Sequence, residues 1–473
     1  MSALAADPNP PVHEPLVPPP GTADLRRSWG KAQRADVSRS SHADWTPPAD
    51  RPDPVALIEE QDAGRIQDLV PIRHGRMLES AFTFYRGAAL VMASDLARTP
   101  TSGIAVQACG DAHLSNFGVF ATPERRLAFD VNDFDETYPA PFEWDVKRLA
   151  ASMVIAGRDN GFNDKTNWHI AAAAVAAYRE RMAELAAMRG LDAWYQRYDV
   201  DPRLRKASKS NKKAVRKRAK KFAKKASSKT DLGALERFAE KTPEGWRIKA
   251  EPPLIVPFER EEDRKAELQQ AYEQYVDSAQ SDVRVLLGRY QLVDAARKVV
   301  GVGSVGTAAF MMLMIGRRSN DPLFLQGKEA PPSVLEQYAQ PGLFEHQGQR
   351  VVDGQRLIQA ASDQFLGWLS AERVGRRYDF YVRQLRDWKY SIHVEDLNPD
   401  QMSFYGEACG QVLAHGHARS GSSNAITGYL GKNDSFAEAV ATFAVAYADQ
   451  NQADYEATLQ AEADGRIEVT RGL

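Results

Sequence analysis

Cysteine is almost missing: Cys109 and Cys409 are the only two in 473 residues. Two thiols cannot build a multi-bridge scaffold or a four-thiolate zinc site, and no basic start leads into a cleavable apolar segment, so the expected setting is reducing and cytoplasmic. No stretch reaches the roughly eighteen consecutive apolar residues that a membrane-spanning helix needs. Nor does any internal repeat occur. Net charge is nearly absent as well, -2 from 61 basic and 63 acidic residues.

What is present is an ordinary folded composition, 43% hydrophobic and 26% charged, with room for roughly three domain-sized units. The charge is unevenly spread. Residues 203–229 carry fourteen Lys or Arg and no acid, leaving 47 basic against 63 acidic residues, about -16, elsewhere. This is a cationic arm on an acidic body. Eleven of the 26 prolines fall in the first 54 residues, which predicts a mostly disordered tail over 1–50.

Apolar periodicity predicts a helix over Phe82–Ala97, a buried strand at Ile104–Ala108, and a hairpin from Asn116–Phe120 and Leu127–Val131. Helices follow over Glu143–Ala156 and Asn167–Met188, then the basic arm, which is a solvated helix or disordered. Near residue 300 the pattern becomes strand, glycine loop, strand, turn, strand, ending at Lys328. Further on come a helix over Gly354–Leu369, a strand at Asp379–Leu385, and helices from Phe404 to about Ala461.

The densest reactive cluster is Cys109-Gly110-Asp111-Ala112-His113-Leu114-Ser115-Asn116, followed by Asp130, Asp133 and Asp135. An Asp and an Asn five positions apart in a loop, backed by carboxylates on a hairpin, can converge on one magnesium ion, a hard cation that prefers oxygen ligands and substrate phosphates. The same spacing occurs in kinase catalytic loops, where the Asp is the base and the Asn a metal ligand. The plain alternative is that Asp111 and Asn116 cap a turn. A second cluster supports the chemical reading. Gly301-x-Gly303-x-x-Gly306 lets backbone amides approach phosphates, with Ser304 inside the loop and Lys328 at the end of the third strand. A dinucleotide-binding turn would need a helix directly after the glycines, and none is indicated.

The strings Gly110–Gly118, Asn132-Asp133-Phe134-Asp135-Glu136-Thr137, Glu143–Ala150, Phe84–Gly87, Val302–Thr307 and Leu325–Ala330 resemble the bacterial domain-of-unknown-function 2252 family over roughly residues 55–445. More remotely they are similar to the aminoglycoside phosphotransferase and choline kinase branch of the protein-kinase-like superfamily. That resemblance implies Asp111 as catalytic base with His113 in its loop, Asn116 and Asp133 as metal ligands, Asp145 as anchor of the loop, and ATP and magnesium as cofactors. Asp130 competes with Asp133 for the metal role, and Asp135 is the accessory acid. Cys109 stands where the remote kin usually have His.

Those kin also carry the glycine loop before the catalytic segment, whereas here it comes after. The resemblance therefore implies an α+β, two-lobed, circularly permuted kinase-like fold with a mostly helical large lobe. Its expected division is a tail (1–50), a catalytic segment (51–200), a basic insertion (201–250), a nucleotide-binding β lobe (251–390) and C-terminal helices (391–473). Asp379–Leu385 becomes the inter-lobe hinge meeting adenine, with Arg383 as a nucleotide contact, and Glu336 or Glu345 pairs with Lys328.

Other features count for less. His415 and His417 are two apart in a helical stretch and face different sides, against a shared metal. The basic arm holds one aromatic, Phe222, so it suits phosphate contact more than base stacking. Arg86 reads either as a buried helix arginine or as a phosphate clamp. The leading expectation is an ATP- and magnesium-dependent phosphotransferase with a small-molecule acceptor. Transfer of AMP by the same site, a noncatalytic nucleotide- or RNA-binding module using the arm, and a metal-dependent hydrolase on Asp111, His113 and Asp133 are the alternatives.

Overall fold

The computed structural model describes residues 21–200, 231–243, 245–258, 262–299, 301–318, 320–373, 376–385 and 390–472. The basic stretch 203–229 lies outside them. The fold is mixed α+β, and among the described residues no helix is long and apolar enough to cross a membrane.

Short helices α1 (Ala23–Ala32), α2 (Pro54–Asp62), α3 (Val70–Met77), α4 (Ala81–Gly87) and α5 (Ala89–Leu96) open the chain. The expected single helix over Phe82–Ala97 is broken at Ala88, whose φ/ψ of -104/40 leaves the helical region. Strands β1 (Ala105–Ala108), β2 (Phe117–Ala121), β3 (Leu127–Val131) and β4 (Tyr138–Pro141) follow. The hairpin β2–β3 forms in the expected place, with Gly118 opposite Asp130, and β1 pairs with β4.

Next come α6 (Phe142–Asp159), α7 (Asp164–Ala187) and α8 (Gly190–Trp194). Nearly every side chain of α6 from Phe142 to Gly157 is buried, so the helix runs through the middle of the body. Its few charged residues therefore have to find partners inside the protein.

The second half holds α9 (Asp231–Phe238), β5 (Ala239–Thr242), β6 (Gly245–Ile248), β7 (Ile255–Pro257), α10 (Glu262–Ser278) and α11 (Ser281–Leu287). They lead into β8 (Gln291–Lys298), β9 (Ala309–Ile315), β10 (Pro322–Glu329), α12 (Gln347–Ile358), β11 (Gly367–Arg373), β12 (Arg376–Gln384) and β13 (Tyr390–Ser391). Helices α13 (Pro399–Ser420), α14 (Ser423–Leu430) and α15 (Ser435–Ala463) close the chain. Strands β7 to β12, without β13, form one six-stranded antiparallel sheet in the order β11-β12-β10-β9-β8-β7.

This sheet is covered on both faces. Met312 and Met314 of β9 and Leu323 and Leu325 of β10 pack with Tyr275 and Leu287 from α10 and α11. The alternate residues Met311, Leu313 and Phe324 pack with Leu235 and Phe238 of α9 and Ile248 of β6. Burial on both faces explains why Ala308–Ile315 reads as a continuous apolar run rather than an alternating one. Residues 231–248, at the end of the span read as a basic insertion, cover one face of the sheet. The large core instead joins α4 to α7 with α12 to α15, so residues from both ends of the chain build the helical body.

Two further expectations change. The helix placed over Gly354–Leu369 ends at Ile358, and Gly367–Leu369 already belongs to β11. The tail expected over 1–50 is folded from residue 21 onward. Gly30 allows α1 to cross α14 closely, since a Cβ there would stand 2.0 Å from the Ala425 carbonyl oxygen. Arg34 and Arg39 donate to the carbonyls of Tyr429 (2.8 Å) and Leu430 (2.7 Å) at the C-terminal end of α14, where cations are favoured. His42 is fully buried against the Tyr429 hydroxyl at 2.6 Å. Docking, which composition does not encode, supplies the order. Gly30→Val should therefore push α1 off α14, at a cost of about 1–3 kcal/mol. Limited trypsinolysis should then cut residues 21–40 faster than in the parent, and an unchanged cleavage pattern would refute the close crossing.

Candidate functional site

Strand β1 delivers the chain to Gly110, which adopts φ +81 and whose Cβ, if present, would lie 2.0 Å from the Glu136 carbonyl oxygen. Only glycine fits this turn. Asp145, in the first turn of α6, holds it from beneath by accepting the N–H of Cys109 at 2.7 Å and of Gly110 at 3.0 Å. His417 Nε2 lies 3.2 Å from the same carboxylate, and its Nδ1 meets the Tyr178 hydroxyl at 2.9 Å. Cys109 also gives Asp145 its thiol, at 3.2 Å. His415 turns the other way and takes a hydrogen bond from Arg181 at 2.7 Å, so the two histidines share no ligand.

Past this turn, Asp111 Oδ1 accepts Arg148 Nε at 2.5 Å, while His113 Nε2 lies 3.5 Å from Oδ2. Asn116 Nδ2 donates to the Asp111 carbonyl at 2.8 Å, closing the loop on itself. Burial raises the Asp111 pKa, against the pull of Arg148. His113 is pushed well below its usual range by burial and by the charges of Arg86 and Arg148, so the ring is neutral near pH 7.

Behind the loop, the turn after β3 carries Asp133 and Asp135. Burial and the charge of Asp135 raise Asp133. Asp135 goes the other way. Burial alone would raise it, but Lys328 and the Tyr381 hydroxyl outweigh burial and hold it at about 2. Its Oδ2 receives the Lys328 ammonium and, at 3.1 Å, the Ser304 hydroxyl, while Tyr381 donates to Oδ1 at 2.6 Å. Strand register explains the grouping: Lys328 pairs with Tyr381 and Gln326 with Arg383 across β10 and β12, so all four point to the side facing the helical body. Arg383 reaches the Asn132 carbonyl and the Gln326 side chain, both at 3.3 Å.

The glycine loop is pinned to the body as well. Arg76 donates to the Gly301 carbonyl at 2.6 Å, Arg65 to Val305 at 2.6 Å, and the Ile66 N–H to Gly306 at 2.8 Å. Gly301 and Gly306 both have positive φ, +71 and +91.

Between these parts lies a cavity of about 750 Å³, within the range of small-molecule sites. Of the candidates from the sequence, Asp111, His113, Asn116, Asp133, Asp135, Gly301, Gly303, Ser304 and Glu336 line it. Lys328, Arg383, Gly306 and Asp130 do not. Lys328 stands directly behind Asp135, 2% exposed. Asp130 sits in the β2–β3 ladder, pushed up to about 7 by burial, with Arg419 as its charged neighbour.

Two expectations are corrected. Lys328 pairs with Asp135 and not with Glu336, which accepts the Gly342 N–H at 3.0 Å, nor with Glu345, which is exposed. Strand β12 is interior, paired to β10 over 380–384 and to β11 over 376–382, so its backbone offers no free edge to an adenine over the doubly paired span.

Sequence reasoning missed Arg148 and Tyr381. Arg148 follows Asp145 by three positions, one turn of the same helix face, and Tyr381 precedes Arg383 by two on the same strand face; both signals were available. Among the described residues, no trio of His, Cys, Asp or Glu has metal-holding geometry.

The fold and site thus define a mixed α+β protein with a large cavity, lined by several charged side chains, between a helical body and an antiparallel sheet. The model of a bacterial family, described as an uncharacterized protein conserved in bacteria (DUF2252), matches residues 65–461, and the chain belongs to this family. No curated protein and no solved structure matches it.

Proposed function

We propose that the chain is a phosphotransferase that moves the γ-phosphate of ATP to a hydroxyl or amine of a small molecule, on a circularly permuted variant of the two-lobed kinase-like architecture. One observation carries the reading. Asp135 ties Ser304 of the glycine loop and Lys328 of β10 to the turn that bears Asp133, at the wall of the cavity that Asp111 and Asn116 also line.

The residues present fit magnesium. With the Asn116 nitrogen engaged by the Asp111 carbonyl, its amide oxygen is the atom left for a cation. Asp133, raised by burial and by the neighbouring Asp135, is a carboxyl that a divalent cation would favour in its charged form. Asn116 and Asp133 would hold the ion, which when bound neutralises phosphate charge. Arg148 fixes one oxygen of Asp111, leaving Oδ2 to accept the proton of the attacking group. The backbone amides around Gly301–Ser304 approach the phosphates, and catalysis comes from positioning and charge neutralisation.

Thermal shift tests this. The parent protein should melt several degrees higher with ATP and magnesium, Asp133→Ala should lose the shift, and deletion of residues 203–229 should keep it. A parent without a shift, or a variant that retains it, would refute the reading. Incubation with a bacterial metabolite extract then separates the two transfers, since γ-labelled ATP marks the product of phosphoryl transfer and α-labelled ATP that of AMP transfer.

A further inference from the structure

Arg86 is unused by this mechanism. It lies in the last turn of α4 and lines the cavity. Its Nε is buried with no hydrogen-bond partner, and its guanidinium forms no salt bridge among the described residues. Of the charges that act on it, Asp111 comes first, followed by Glu395, Glu79 and Asp133. The glycine loop rests on the same helix end, because a Cβ at Gly303 would stand 3.2 Å from the Arg86 carbonyl oxygen.

The neighbouring cations are committed elsewhere. Lys328 is taken up by Asp135, with the Ser304 hydroxyl 3.3 Å away. Arg148 is taken up by Asp111, the Tyr85 carbonyl at 3.1 Å and the face of the Tyr85 ring. Arg65 gives Nη1 to the Val305 carbonyl. A largely buried guanidinium without a partner is costly to keep. It is retained where a ligand completes it, and its planar fork matches two oxygens of one oxyanion.

We propose that Arg86 is the oxyanion subsite of the cavity and binds the phosphoryl group as it passes from ATP to the acceptor. This rests on the phosphotransfer reading. In that step the bond from the γ-phosphorus to the β–γ bridging oxygen breaks, and ADP leaves with the electron pair. The acceptor atom bonds the same phosphorus, and its proton goes to Asp111. Negative charge on the equatorial oxygens is shared in flight, and Arg86 donates to it from the side of α4. Positioned donors of this kind act most strongly on the transition state.

Calorimetric titration of the full chain with ATP and magnesium, and separately with ADP, magnesium and aluminium fluoride as mimic of the transferring group, tests the assignment. The parent should bind the fluoride complex more tightly than ADP alone. Arg86→Gln should bind ATP within about threefold of the parent but lose about a hundredfold or more for the fluoride complex. Arg86→Lys should fall between them, keeping the charge without the fork. Melting of the ligand-free Arg86→Gln protein should be unchanged or raised, because an unpaired buried cation is removed.

A parent with no preference for the fluoride complex, or Arg86→Gln keeping that preference, would overturn the subsite while leaving the phosphotransfer reading standing. A lowered melting temperature together with lost ATP binding would mark Arg86 as structural and overturn it too. A parent that binds no ATP would bring down both.

Discussion

Asp145→Ala should lower the free energy of unfolding by about 3–5 kcal/mol, as removal of one member of a buried charged network does. Its carboxylate is buried and accepts from the N–H groups of Cys109 and Gly110 through different oxygens, with His417 and the Cys109 thiol beside it. Alanine leaves both N–H groups buried without partners, at about 1–3 kcal/mol each. Asp145→Asn should recover only part of this, because an amide has one acceptor oxygen and its NH2 must then face one of the two N–H donors. Urea unfolding of the parent and both variants measures the order. Equal stability of Asp145→Ala and the parent would mean that the Gly110 turn holds the loop unaided. Because α6 also supplies Arg148 to Asp111, the variant should lower any ATP turnover further than the loss of folded protein accounts for.

What the sequence discloses is mostly local. The β2–β3 hairpin, the glycine loop between apolar strands and the Asp111–Asn116 loop each announce themselves within about twenty residues, through turn chemistry and periodicity. Contacts at long separation are silent. Lys328 meets Asp135 across 193 positions, and the choice of Glu336 or Glu345 failed because both lie near Lys328 in the chain, whereas its partner arrives from the other half of the cavity. The folding of residues 21–50 was invisible for the same reason: the stretch holds only Pro47 and Pro48 but adjoins seven prolines in residues 1–20, and its partners arrive from α14 and α15, with Arg34 and Tyr429 lying 395 positions apart. The over-long helix at Gly354–Leu369 had a local warning that was passed over: Ser362-Asp363 is a turn signal, and the apolar residues after it belong to a strand. Arg86 was legible as a residue type in a suggestive place, but only burial without a partner separates a ligand group from a packing one.

Asp135 should prove the most consequential carboxylate of the cavity wall, and its loss should be harsher than the loss of the lysine it holds. Asp135→Ala leaves the Lys328 ammonium buried with the Ser304 hydroxyl at 3.3 Å as its hydrogen-bond partner and the Asp133 carboxyl and the Tyr381 ring as its other neighbours. The expected cost is about 3–5 kcal/mol, that of an uncompensated buried charge. Lys328→Met leaves a carboxylate still served by the Tyr381 and Ser304 hydroxyls, at 2.6 and 3.1 Å, so it should cost less. The double variant Asp135→Ala with Lys328→Met should be less destabilised than the two single losses added together, by a coupling of about 1–3 kcal/mol. The pH dependence has a definite sign. Asp135 has a folded pKa of about 2, below an unfolded value near 3.9, so its contribution is fully present above pH 4 and is lost as pH falls toward 2. Lys328 is shifted up, chiefly because the charge of Asp135 overcomes burial, so its contribution is present below about pH 10 and is lost only on further rise. Urea unfolding of all four proteins should therefore give a coupling that is flat from pH 5 to 9 and shrinks at the acid end. A coupling near zero at neutral pH would show the ion pair to be incidental, and the glycine loop would then owe its position to Arg65, Arg76 and Ile66 alone.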